Sequence, residues 1–102
     1  MNVAGDTFYI DKDIIKEHNR YVYWWVLKDY LKPDEYGTLS EKTYVQGDCG
    51  VNRYKWLSLI YYKQPMGEGS AETLSPLPEE WEYPPPESTG GFLLKYVCDY
   101  VD

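Results

Sequence analysis

The sequence predicts an α+β fold: an antiparallel β-sheet with a C-terminal α-helix packed on one face and tethered by a disulfide. Three observations predict it. Twelve tyrosines and four tryptophans in 102 residues, with modest Leu, Ile and Val, point to an aromatic-rich sheet over a small core. The last stretch, "TGGFLLKYVCDYV", places Leu94, Val97, Cys98 and Val101 on one helical stripe. The two cysteines, Cys49 and Cys98, fall one in the sheet region and one on that stripe. The length fits a single domain, 1–102, with strands within about 6–76, a proline-rich spacer at about 77–87 and the helix at about 88–101.

In chain order, "DTFYI" (Asp6 to Ile10) is a short first strand. "DKDIIKEHN" mixes charge with Ile14 and Ile15 and predicts a turn with a short helical or bridging piece, closed at His18-Asn19. "RYVYWWVLKDY" (Arg20 to Tyr30) is the strongest strand signal, apolar on both faces through Leu27 and so central. Pro33 and Gly37 punctuate a loop over Leu31–Glu41. "KTYVQ" is a strand, "GDCG" a tight turn and "NRYKWLSLIYYK" (Asn52 to Lys63) a long strand. Its even positions, Tyr54, Trp56, Ile60 and Tyr62, are the more apolar and are expected to face the core. "QPMGEG" is a turn, and "SAETLSP" (Ser70 to Pro76) is one more strand. "LPEEWEYPPPES" is stiffened by Pro84 to Pro86 and is expected to carry the backbone across one end of the sheet. Ser88 is an N-cap candidate. Gly90 and Gly91 weaken the first helical turn by up to about 1 kcal/mol each, which close packing on a flat surface would explain.

Cys98 faces whatever the helix packs on, so a Cys49–Cys98 bridge would tether helix to sheet. Closing a loop of about 50 residues contributes about 4 kcal/mol in the chain-entropy model. Two unpaired buried thiols in a reducing compartment are the other reading. Two cysteines and one histidine build no closed zinc site without carboxylates, and the spacing is unlike Cys-x-x-Cys. A bridge would put the protein in an oxidising place. Met1 is followed by "NVAGDTFYI", with no basic and apolar leader. Taken literally that means a cytosolic chain; the other reading is that a leader has been cut away.

The ordered set "FYIDKDII", "YVYWWVLKDYLKP", "GTLSEKTYVQGDC", "RYKWLSLIYYKQPMGEG" and "WEYPPPESTGGFLLKYVC" resembles the surface-adhesin protein E family of bacteria, over Phe8 to Cys98. The resemblance implies an antiparallel sheet with a C-terminal helix fastened across one face by a disulfide, carried here by Cys49 and Cys98. It implies an exported protein: periplasmic, outer-membrane-associated or extracellular, with a lipid anchor only if a leader was removed. It also implies binding of host matrix and serum proteins such as vitronectin and laminin, although many relatives have no known activity.

The charge of −7 repels phosphate backbones and anionic membrane surfaces, so nucleic acid is not an expected partner. The longest apolar run, "YVYWWVL", is far too short to cross a bilayer. His18 sits in a charged turn, and the acidic pairs Glu79-Glu80 and Asp11/Asp13 look solvated. "DEYGTLSE" has too few ligands for a calcium loop, and Gly67 and Gly69 serve a turn. No catalytic residues, metal ligands or cofactor follow from the sequence. One helix covers only one face of a sheet, so the other face must be polar or meet a partner. The expected function is an exported non-catalytic interaction domain, meeting an extracellular protein or a second copy of itself. The alternative is a small periplasmic or lipoprotein domain that binds a small ligand or an envelope partner. A broad flat apolar patch would favour the first, and a concave aromatic-lined pocket the second.

Overall fold

A computed structural model describes residues 2–3, 5–74 and 80–101. The end of the strand expected at Ser70–Pro76, the start of the proline-rich spacer and Glu79 lie outside the described residues.

The strands are β1 (Asn2–Val3), β2 (Asp6–Ile10), β3 (Lys16–His18), β4 (Tyr21–Asp29), β5 (Ser40–Asp48), β6 (Arg53–Gln64) and β7 (Glu68–Leu74), followed by α1 (Thr89–Val101). They form one antiparallel sheet in the order β1-β2-β4-β5-β6-β7, with β3 also paired to β4. β2 and β3 lie end to end along the same edge of β4, separated by a 3-10 turn at Lys12–Ile14 that Asp11 caps by accepting from the Asp13 amide. The aromatic strand is therefore interior, as its two-sided apolar character predicts.

β3 turns into β4 through Asn19 and Arg20, at φ 50° and 68°, between the paired residues His18 and Tyr21. Left-handed φ at both central residues matches the twist of a hairpin. Asn tolerates it; Arg20 carries a cost of about 1–2 kcal/mol.

Alternation along β4 sends Val22 and Trp24 to one face and Tyr21, Tyr23 and Trp25 to the other. The first face is the core. Val22, Trp24 and Val45 pack with Leu94 and Val97 of α1, with Ile10, Val26, Tyr54, Cys98 and Val101 around them. Gly47 is required here, because a Cβ would lie 2.7 Å from the Trp24 ring and 2.9 Å from Leu94. The helical stripe from Leu94 to Val101 is the one the sequence predicts.

Ser88 caps α1, its Oγ accepting from the Gly91 amide at 3.0 Å and donating to the Pro85 carbonyl. Gly90 packs on the sheet as anticipated, whereas Gly91 packs on the proline-rich segment instead. A Cβ on Gly90 would meet the Tyr54 hydroxyl at 2.5 Å, and one on Gly91 would run into the Pro85 backbone. The Cys49–Cys98 disulfide joins the end of the sheet to the buried side of α1 across a Cα–Cα distance of 5.8 Å.

The long strand departs from its expected facing. Tyr44 pairs with Ser58 but Val45 pairs with Trp56, so β6 bulges at Leu57. The extra residue inverts the alternation. Tyr54 and Trp56 lie on the helix side, but Ile60 and Tyr62 turn to the opposite face, and Leu59 becomes the buried residue.

Burial holds the Tyr30 hydroxyl well above the usual tyrosine range, reinforced by its 2.7 Å hydrogen bond to Glu41. Burial likewise raises Tyr54 and Tyr61. These hydroxyls hold their protons more tightly folded than unfolded. Their contribution is full below about pH 10 and is lost as pH rises beyond it, where unfolded tyrosines ionise. Denaturant unfolding across alkaline pH should show stability falling above that point, with part of the phenolate absorbance appearing only on unfolding. Constant stability through the tyrosine titration would contradict this.

Candidate functional site

The face of the sheet opposite α1 is paved with rings. Tyr23 stacks with Tyr44 at 6.1 Å between centroids, and Tyr44 meets Trp25 at 4.8 Å. The main-chain bridge between Tyr54 and Glu82 holds the proline-rich segment against the end of β6. Trp81, next to Glu82, thereby falls on the helix-free side, 5.7 Å from Tyr21 and over the Arg53 guanidinium (4.1 Å) and the Lys55 ammonium (4.6 Å). Farther along the same face Tyr9, Asp11, Ile14, Trp25, Leu27, Lys42, Ile60 and Tyr62 line a shallow groove of about 450 Å³. The rings of Tyr21, Tyr23, Trp25 and Tyr44 are half-buried: they lie on the sheet rather than within it.

Several cations gather on this face. By register Lys16 lies beside Tyr23, Lys42 beside Leu27 and Lys55 beside Gln46. The strained turn holds Arg20 over Tyr21, 5.4 Å from the ring centroid, where its guanidinium donates to the hydroxyl and lowers the affinity of that hydroxyl for its proton. Among the described residues none of these four cations is in an ion pair. Acids share the face as well: Asp11 borders the groove and accepts from the Asp13 amide at 3.0 Å. Asp48 is buried and paired with Arg53 at 3.1 Å, and Asp29 accepts from the Met66 amide at 2.8 Å. A chain of net charge −7 thus presents a cationic, aromatic surface on one side.

The other sequence candidates remain dispersed. His18 is exposed on β3, its Nε2 3.1 Å from the side-chain Nδ2 of Asn19. Asp34, in the loop before β5, accepts from the amides of Tyr36 and Thr38 at 2.9 and 2.8 Å, which closes that loop and holds its carboxyl below the ordinary aspartate value. No group of three or more His, Cys, Asp or Glu among the described residues is placed to hold a metal ion. Among the described residues no helix is long and apolar enough to cross a membrane. Sequence reading foresaw aromatics on the helix-free side of β4 but missed Trp81 and the cations. The available signal was a tryptophan in an otherwise extended, proline-stiffened segment, where no core position accounts for it.

The fold is similar to that of protein E of Haemophilus influenzae in its crystal form II, with a TM-score of 0.74 and 17% sequence identity over 93% of this chain and 83% of that one. An identity that low carries the fold alone. No curated protein matches the sequence significantly. The family model described as "Surface-adhesin protein E" matches residues 1–99. With nearly the whole chain matched, the protein belongs to the surface-adhesin protein E family and is an exported, non-catalytic domain of adhesin type.

Proposed function

We propose that this domain docks an extracellular protein, such as a host matrix protein, through its helix-free face, and that the segment it recognises is acidic. The observation that carries this reading is the coincidence of half-buried rings with unpaired cations on one side of an acidic chain. Tyrosine and tryptophan are the residues that most often anchor protein contacts. Arg20, Lys16, Lys42 and Lys55 would steer an anionic segment onto those anchors and set its register. The same charges disfavour a second copy packed face to face, since that would bring two cationic surfaces together. The natural setting for such contacts is the outer surface of the cell.

The test is binding to immobilised vitronectin and laminin at increasing salt, comparing the wild-type chain with a Lys16→Glu/Lys42→Glu/Lys55→Glu variant. Wild-type binding should weaken as salt rises. The reversed charges should reduce it at least about tenfold, at unchanged thermal stability. Binding insensitive to both salt and charge reversal would remove this face as the docking site.

A further inference from the structure

The sheet ends on one side in β1, of two residues, and on the other in β7, of seven. Along β7 every second residue turns its N–H and C=O outward, away from β6. Among the described residues no strand or loop is hydrogen-bonded to that outer edge. All seven residues are exposed, and none is a proline or a lysine, the usual guards of such an edge. A long open edge is a template for an added strand.

An open cavity of about 610 Å³ borders β7, its lining including Glu72 and Leu74 of that strand, Tyr61 and Lys63 of β6, and Asp34 and Tyr36 of the loop before β5. Glu72 pairs with Tyr61, so a residue added opposite Glu72 would set its side chain in line with both, on the cavity side. The surroundings are acidic. Asp34 is held ionised by the amides of Tyr36 and Thr38, and Glu72 is in no ion pair among the described residues. Burial, and then the charges of Glu41, Asp34 and Glu72, hold the Tyr61 hydroxyl above its ordinary range, so three carboxylates bear on it. Lys63, the cation among the described lining residues, donates to the Tyr36 carbonyl.

We infer that β7 accepts an extended basic segment of a partner protein as an added strand, with a lysine or arginine of that segment set beside Glu72 and reaching over Tyr61 toward Asp34. Main-chain pairing supplies affinity, and the carboxylates select the charge. Tyr61 and Leu74 offer apolar surface to the stem of the basic side chain. Both charges of β7 are acidic, Glu68 and Glu72, so pairing β7 with β7 of a second copy would bring two acidic edges together. The edge selects the opposite charge to the helix-free face, so either assignment can fail without the other.

The test is a nuclear magnetic resonance titration of the whole chain with the peptide acetyl-Thr-Lys-Val-Lys-Val-Lys-Thr-amide. One control carries glutamate at each lysine. The other carries proline at each valine, which keeps the charge but cannot pair as a strand. The basic peptide should shift the β7 amides saturably and slow the hydrogen exchange of the outward ones; neither control should. Glu72→Lys, at an exposed position, should weaken binding at least about tenfold. No saturable shift along β7, equal binding of the acidic or the proline peptide, or unchanged binding in Glu72→Lys would overturn the inference. Protection of β7 that rises with protein concentration, with no peptide present, would overturn it too and assign the edge to a second copy.

Discussion

Replacing Cys98 by serine is expected to lower the stability of the folded domain by about 4 kcal/mol, a fall of about 15–30 °C in Tm. The bridge closes 49 residues of sequence separation, and its loss returns that freedom to the unfolded chain. It also fastens α1 in place. A 13-residue helix is marginal alone in water, and this one is held mainly by Leu94 and Val97 against Val22, Trp24 and Val45. The sheet does not depend on the bridge for its hydrogen bonds, so far-ultraviolet circular dichroism at low temperature should keep its strand signature. Cys49→Ser should behave alike, and the double variant should cost no more than either single one. Equal melting temperatures for the oxidised and reduced wild type would contradict this account of the tether.

Trp24→Ala should cost about 3–5 kcal/mol, since it empties the largest fully buried position of the core. Trp24→Phe should cost far less. It removes apolar contact but also removes a buried donor with no acceptor among the described residues, an unpaired group that costs about 1–3 kcal/mol. The two effects oppose each other, and the net change should stay within about 1 kcal/mol. Denaturant midpoints at unchanged slope would report both values. A Trp24→Phe variant as unstable as Trp24→Ala would show that the indole N–H is satisfied in the folded protein.

Much of this architecture was legible because single residues carried unambiguous physical signals. The β-branched and aromatic run from Arg20 to Tyr30 predicted an interior strand, found at Tyr21–Asp29, and the stripe through Leu94, Val97 and Cys98 predicted the buried side of a helix. Gly90 and Gly91 announced a close approach, and both have one, to Tyr54 and to Pro85. The facing of β6 was not legible. A bulge at Leu57 is set by how β5 and β6 pair, and no local residue preference marks it. The candidate site was half legible. Alternation placed Tyr21, Tyr23 and Trp25 away from the helix, but that Trp81 returns across the sheet depends on the bridge between Glu82 and Tyr54, a contact far apart in sequence. The excess of cations on that side was hidden by a net negative chain, because charge segregation between the faces of a sheet appears only once register is known.

A rival to the helix-free face is the exposed outer stripe of α1 formed by Phe92, Tyr96 and Tyr100. Hydroxyl-radical footprinting of the chain, free and bound to an immobilised matrix protein, separates the two directly, because it reads side chains rather than backbone. Protection of Tyr21, Tyr23, Trp25, Tyr44 and Trp81, with the three helix aromatics as reactive as in the free chain, is the result this account predicts. Protection of Phe92, Tyr96 and Tyr100, with the sheet aromatics unchanged, would contradict it.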